Sequence, residues 1–184
     1  MNIITTEIEG LIIIEPRIFQ DSRGYFFESF NQSEFEEKIG PVTFVQDNES
    51  KSCYGVVRGL DFQKGAHSQS KLVRVVKGKV LDVAVDLRPG SKTFGKHVSV
   101  ELSEDNHRQF FIPKGFAHGF SVLSDEVIFQ YKCDSLYCPE SEGAVAWDDP
   151  DLEIDWMVPK DKIILSEKDK RHPKLRDCRP EDLP

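Results

Sequence analysis

Charged, amide and histidine side chains crowd one stretch of this 184-residue chain, Arg58 to Val76, between two apolar runs. Tyr54-Gly55-Val56-Val57 leads in, and Leu72-Val73-Arg74-Val75-Val76 leads out. Polar groups at this density between two strand-like runs mark a site. Alternation along a strand sends Lys71, Val73 and Val75 to one face and Leu72, Arg74 and Val76 to the other, so each face carries a cation. A cation on a face that lines the inside of a barrel is either paired or placed to receive an anionic ligand.

A second run, Phe111 to Phe120, contains Pro113-x-Gly115-x-x-His118, the spacing of the second motif of cupin barrels. Two readings of His118 stay open here, a core histidine bonded to a backbone carbonyl and a site residue. A metal site is not expected. Metal cupins pair this histidine with a His-x-His and a glutamate from the preceding hairpin region, and here that region offers only His67, short of the roughly three protein ligands a catalytic metal takes. Val127-Ile128-Phe129-Gln130-Tyr131-Lys132 alternates and groups Tyr131 with Val127 and Phe129; it is either a core tyrosine whose hydroxyl finds a partner or a proton donor aimed into a pocket. Gln46-Asp47-Asn48 follows an apolar strand or forms a turn, Asp148-Asp149-Pro150 ends a strand or caps a turn, and Ser166-Glu167-Lys168-Asp169-Lys170 reads as a solvated charged segment.

The elements that must hold these groups are mostly short strands. Ile3 to Arg17 is β-rich, Asp21-Ser22-Arg23-Gly24 turns the chain into Tyr25 to Phe30, and further runs cover Thr43 to Val45, the hairpin turned by Lys77-Gly78, His97 to Leu102, Gln109 to Ile112, Gly119 to Leu123 and Val127 to Lys132. The one helix start is Ser33-Glu34-Phe35-Glu36, a capping-box pattern with Ser33 as cap and Gly40 as the stop. Many short strands without a long 3.6-residue period predict an all-β, antiparallel sandwich or barrel. Residues 1–184 read as one domain in which 135–184 form a loop-rich C-terminal wrap, and Arg171 to Pro184 are expected to fray.

Composition narrows the function classes. With 39% hydrophobic and 10% aromatic residues the chain can build one core. Thirty-two acidic against 24 basic residues give a net charge of −8, which argues against nucleic acid or an anionic membrane as partner, so an anionic ligand needs a local cluster of cations. Cys53, Cys133, Cys138 and Cys178 show no Cys-x-x-Cys or zinc-ribbon spacing, the first ten residues lack signal-peptide character, and no apolar run approaches the ~18 to 20 residues that span a bilayer. A soluble cytoplasmic protein with free thiols is expected.

Asp21-x-Arg23-Gly24-x-Phe26-x-Glu28, Gln46-Asp47-Asn48, Arg58-Gly59-Leu60-x-Phe62-Gln63, Lys71-Leu72-Val73-Arg74-Val75, the Pro113 to Phe120 run, Tyr131-Lys132, Trp147-Asp148-Asp149-Pro150 and Leu165-Ser166-Glu167-Lys168-Asp169 stand in the order and spacing of one family. From about Glu15 to Asp169 the chain resembles the dTDP-4-dehydrorhamnose 3,5-epimerases, sugar-nucleotide isomerases of the cupin superfamily. The resemblance implies a homodimeric cupin-type jelly-roll barrel with short peripheral helices and no metal or organic cofactor. It implies a dTDP-4-keto-6-deoxyhexose substrate and a place in dTDP-rhamnose and polysaccharide biosynthesis. In such a substrate the C–H bonds at C3 and C5 flank a C4 ketone; a base removes the proton, an enolate oxygen forms, and a proton returns on the opposite face. Carried onto this chain, Lys71 stabilises the enolate, Tyr131 donates the proton, His118 holds the sugar ring and Asp169 orients the base. Arg23, Glu28, Gln46, Asp47, Asn48, Arg58, Glu142 and Lys168 match nucleotide-binding positions, Gln63 joins the substrate-binding set, and Tyr137 or Phe26 stacks on thymine.

One position departs from the family pattern. Where the family reads Arg-Gly-Leu-His, with that histidine as the base, this chain has Asp61. Aspartate is shorter, and its unperturbed pKa of about 3.9 against about 6.5 makes it the weaker base. Desolvation and repulsion between Asp61 and Asp169 would raise one apparent pKa of the pair toward useful basicity. His67 is set aside as a substitute, because the family already has a histidine near this place and does not use it as the base. The reading is therefore a 3,5-epimerase altered at its base; the alternative is a catalytically weak or inactive dTDP-sugar binding protein. A one-carbon epimerase or a 3,4-ketoisomerase is a third reading, although such ketoisomerases use more pocket histidines, and a metal-dependent oxygenase fails on ligand count.

Overall fold

A computed structural model describes residues Met1–Pro184. In chain order the strands are β1 (Asn2–Thr5), β2 (Ile12–Glu15), β3 (Phe19–Asp21), β4 (Gly24–Phe26), β5 (Gln46–Cys53), β6 (Val57–Gln63), β7 (Lys71–Lys77), β8 (Lys79–Asp86), β9 (His97–Ser103), β10 (Gln109–Ile112), β11 (Phe116–Val122), β12 (Glu126–Cys133) and β13 (Glu142–Ala144), with one helix, α1 (Gln32–Lys38), between β4 and β5. A six-stranded sheet runs β1-β2-β10-β7-β12-β5 and a five-stranded sheet runs β13-β6-β11-β8-β9. Every ladder within them is antiparallel, the all-β jelly roll expected. Strands β3 and β4 form a separate hairpin.

Period-two alternation builds the core. Val73, Val75, Phe110, Ile112, Val127 and Phe129 from the larger sheet meet Val80, Ala84, Val98, Val100, Phe116 and Phe120 from the smaller one. The outer face of the smaller sheet, with Leu81, Val83 and Val85, is covered by Val145, Leu152 and Trp156 from the chain beyond β13. The outer face of the larger sheet, with Ile14, Leu72 and Phe111, is covered by Phe35 of α1. Both faces of β8 are thus buried, which is why its sequence is nearly continuously apolar.

Several expected boundaries move. The helix is capped by Asn31, whose side chain accepts from the Glu34 N–H at 3.1 Å, not by Ser33. Glu34 is drawn instead to the N-terminal amine at 2.7 Å and to Lys38 at 2.9 Å. Residues 43–45 are not strand, and the strand is the polar run Gln46–Cys53 that follows them. Of the run Tyr25 to Phe30 only Tyr25 and Phe26, the end of β4, are extended in a ladder. The C-terminal segment does not fray over its whole length: Leu175, Cys178 and Leu183 pack on the second cluster, and the Leu175 N–H donates to Asp149 at 2.6 Å.

Phe35 is 1% exposed and meets Phe44 and Phe111 edge-on, with ring centroids 5.4 and 5.3 Å away. Phe35→Ala is expected to destabilise the protein by about 3 to 5 kcal/mol, read from denaturant unfolding by circular dichroism.

Candidate functional site

The site depends first on how closely β6 and β11 approach. Their pairing shifts register, with His118 opposite Asp61 but Phe120 opposite Arg58. Gly59 lies in this shift at φ 108°, where an added Cβ would stand 2.5 Å from the His118 carbonyl oxygen; a Cβ on Gly119 would stand 2.5 Å from that of Arg58. Only two bare backbones can come this close. The register they permit places Asp61 and His118 side by side.

Between the two sheets lies a cleft of about 550 Å³. The smaller sheet contributes Arg58, Asp61 and Gln63 from β6, His118 from β11 and Glu142 from β13; the larger contributes Gln46 and Asn48 from β5, Lys71 from β7 and Tyr131 from β12. Tyr137, Lys168 and Asp169 close it from the C-terminal segment. That size suits a small-molecule ligand. Strand β5 hid from the sequence reading because both its faces are polar: Gln46 and Asn48 face the cleft, while Asp47 faces outward to pair with Lys132 at 2.9 Å.

The inner positions of β8 run Val80, Asp82, Ala84, so alternation drives Asp82 into the barrel, where it is fully buried. His118 Nε2 lies 3.0 Å from both Asp82 oxygens. His118 is therefore bonded to a carboxylate and not, as one reading had it, to a backbone carbonyl. Asp82 was missed, and its signal was an acidic residue at an inward position of an apolar strand. The Lys71 ammonium stands 5.9 Å from the Tyr131 ring centroid. Burial, and then the neighbouring Cys133 and Asp61, push the Tyr131 hydroxyl above its ordinary range, so it stays protonated at neutral pH. Burial drives the Cys133 thiol up to about 11, leaving it unreactive.

Asp61 has one oxygen, Oδ1, sealed from water and without a hydrogen-bond partner, although its side chain as a whole remains 35% exposed. Burial raises its carboxyl above the ordinary carboxylate value, and Asp169 adds to this more weakly; Lys168, Lys71 and His172 pull it back down. Lys168 Nζ lies 3.7 Å from Oδ1 and 2.5 Å from Glu142. The run Ser166 to Lys170 is thus not a merely solvated segment: its 3₁₀ turn buries Asp169 against the cleft and brings Lys168 into it. Gln46 and Gln63 accept from the Tyr137 and Cys138 N–H groups at 3.0 and 2.9 Å and so hold that loop in place.

Four expected site residues lie outside the cleft. Asp47 faces a bordering hollow, Glu28 accepts from Asn31 at 3.0 Å near the helix start, and Arg23 and Phe26 sit on the β3–β4 hairpin. His67 is exposed in a 3₁₀ turn and does not line the cleft. Besides His118, a second imidazole lies near Asp61: that of His172, from the segment expected to fray, with Nε2 4.0 Å from Asp61 Oδ1.

The family model described as dTDP-4-dehydrorhamnose 3,5-epimerase matches residues 5–177. The chain is 57% identical over 172 residues to the dTDP-4-dehydrorhamnose 3,5-epimerase of Escherichia coli (strain K12), over 93% of this chain and 92% of that one. It is 54% identical over 175 residues to the enzyme of that name from Methanothermobacter thermautotrophicus, over 95% and 94%. Among solved structures, the dTDP-6-deoxy-D-glucose-3,5-epimerase of Legionella pneumophila Philadelphia 1, in complex with dTDP-4-keto-L-rhamnose, superposes with a TM-score of 0.96 at 52% identity, over 100% of this chain and 97% of that one.

Because the folded-state value of Asp61 is raised, the stability this carboxyl contributes is present in acid and is lost as pH rises through that value. Asp61→Asn removes the titration. The variant's melting temperature should exceed the parent's at pH 8, and the gap should shrink as pH falls toward 4, measured by thermal unfolding across a pH series.

Proposed function

The chain belongs to the dTDP-4-dehydrorhamnose 3,5-epimerase family, and on that premise we propose that it epimerises dTDP-4-dehydro-6-deoxyglucose at C3 and C5, with Asp61 as the base. One observation carries this reading: Asp61 and Tyr131 enter the same cleft from opposite sheets. Inversion at carbon needs a proton removed from one face and another delivered to the other. A sugar lying between the sheets meets a carboxylate on one side and a protonated phenol on the other.

The remaining groups fit in turn. Lys71, on the Tyr131 side, offers positive charge to the oxygen that becomes negative when the C–H bond breaks. His118, held by Asp82, offers a fixed ring wall, and Asp169 is the acidic neighbour behind Asp61. Arg58 and Lys168 supply the local cations that a diphosphate requires on a chain of net charge −8. Burial moves Asp61 toward the basicity that the missing histidine would have had. In this reading Gln46, Asn48, Gln63 and Glu142, which line the cleft, bind the nucleotide, and Tyr137, which lines it too, stacks on thymine.

Arg23 and Phe26 belong to this reading through a second copy. Neither lines its own cleft: Phe26 is 70% exposed and the Arg23 side chain 88%, its only ion pair being with Asp21 on the same hairpin. In a homodimer that exchanges these hairpins, Arg23 and Phe26 reach the partner's nucleotide. A cytoplasmic setting goes with this reading, and no helix is long and apolar enough to cross a membrane.

Proton NMR of the 4-keto sugar nucleotide in D₂O reads exchange at C3 and C5 separately. The parent should exchange both positions, and Asp61→Asn and Tyr131→Phe should each slow exchange by about 10² to 10⁴-fold. Nucleotide binding without exchange at either carbon in the parent would instead make it a binding protein. The mass in solution should be twice the 21.0 kDa of the chain, and Arg23→Ala should raise KM more than it lowers kcat.

A further inference from the structure

The cleft has an occupied rear that the reading above leaves without a role. Behind Asp61 lies His172, whose side chain is only 7% exposed and whose Nδ1 and Nε2 are both buried without a hydrogen-bond partner. The third buried side-chain atom of the protein in that condition is Asp61 Oδ1, and it lies 4.0 Å from His172 Nε2. Asp169 Oδ1 lies 3.8 Å from the same nitrogen. Buried polar atoms are nearly always paired, because each unpaired group keeps its full desolvation cost. A shift of about 1 Å that brings Nε2 into the ~2.9 Å range of Asp61 Oδ1 satisfies two of the three orphans at once.

Resting on the reading of Asp61 as the base, we infer that His172 is its positioning residue: its Nε2–H, set between Asp61 and Asp169, holds the Asp61 carboxylate toward the cleft, and its charge state governs how readily Asp61 takes a proton from carbon. The usual histidine with an aspartate behind it is here an aspartate with a histidine behind it. His172 does not line the cleft. The C–H proton passes to the Asp61 carboxylate, the C–H electron pair goes into the enolate, and His172 stays neutral.

The charge around the ring gives the sign of the pH effect. Asp61 from β6, Asp169 from its own 3₁₀ turn and Lys168 stand on the cleft side; Lys71 acts on Asp61 from β7. On the far side a hollow of about 410 Å³ brings Lys64, Glu142, Asp177, Cys178 and Asp182 around it. When His172 is protonated, its charge draws Asp61 toward the ionised form and weakens it as a base. Exchange should therefore be slower wherever His172 carries its proton, a pH limb that a variant without the imidazole lacks.

Two substitutions separate holding from charge. His172→Phe, which fills the space without a donor, should lower kcat for C3 and C5 exchange by about 10 to 10²-fold with KM unchanged. His172→Gln, which keeps an N–H donor, should recover part of this loss but lack the pH limb. In an Asp61→His background the imidazole itself is the base, with Asp169 at hand to orient it, so His172→Phe should cost nothing further. Equal kcat and the same pH limb in parent and His172→Phe would overturn the inference, as would an equal loss in both backgrounds. Tight Zn²⁺ binding to the parent that His172→Gln abolishes would also overturn it, making the three residues an ion site. If no variant exchanges the sugar, Asp61→His included, the functional reading fails on its own. The pairing is then decided without substrate, by ¹⁵N NMR of the histidine rings. Asp61→Asn must move the His172 titration to lower pH, and an unmoved titration would overturn the pairing.

Discussion

An ionisable carboxylate in the wall of a cleft between two packed sheets, with one oxygen cut off from water, is the constraint to which the rest of this molecule answers. Removing charge from water is costly, and Asp61 is only partly compensated by cations at the distances seen. A site of this kind survives only where the surrounding structure supplies the stability it lacks. Here that structure is a core filled from two sheets, covered on one side by α1 and on the other by the C-terminal segment. The same desolvation that destabilises the ionised carboxylate raises its basicity, so the cost in stability and the gain in chemistry share one cause.

Rigid backbone makes that placement repeatable. The close approach of Gly59 and Gly119 sets the register between β6 and β11, and the register sets Asp61 beside His118. Asp82, fully buried on the adjacent strand, fixes the His118 ring in turn. On the opposite sheet Tyr131 stands among Val127 and Phe129 on the inner face of β12. Two walls with fixed side chains leave the substrate to be held between them.

The departure at position 61 has a structural counterpart at position 172. A histidine-to-aspartate change in isolation both shortens the side chain and weakens the base. In this molecule an imidazole lies 4.0 Å behind the carboxylate, inside a segment that folds onto the barrel through Leu175 and Asp149. Beside Asp169 the molecule thus holds one carboxylate at the cleft, Asp61, and one imidazole behind it, His172.

Much was legible in the sequence where one residue pattern has one physical outcome. Alternation in Leu72 to Val76 and Val127 to Lys132 determined which side chains share a face, Lys77-Gly78 determined a hairpin, and the joint spacing of motifs from Asp21 to Asp169 determined the family. Strand β5 was illegible because its inner face borders a polar cleft, which removes the hydrophobic contrast that alternation relies on. Asp82 and His172 were illegible as site residues for a different reason. What each one does depends on a neighbour 36 or 111 positions away, His118 in one case and Asp61 in the other. Local sequence determines which way a side chain points along its own strand; only the closing of the two sheets and the folding back of the tail decided what it meets there.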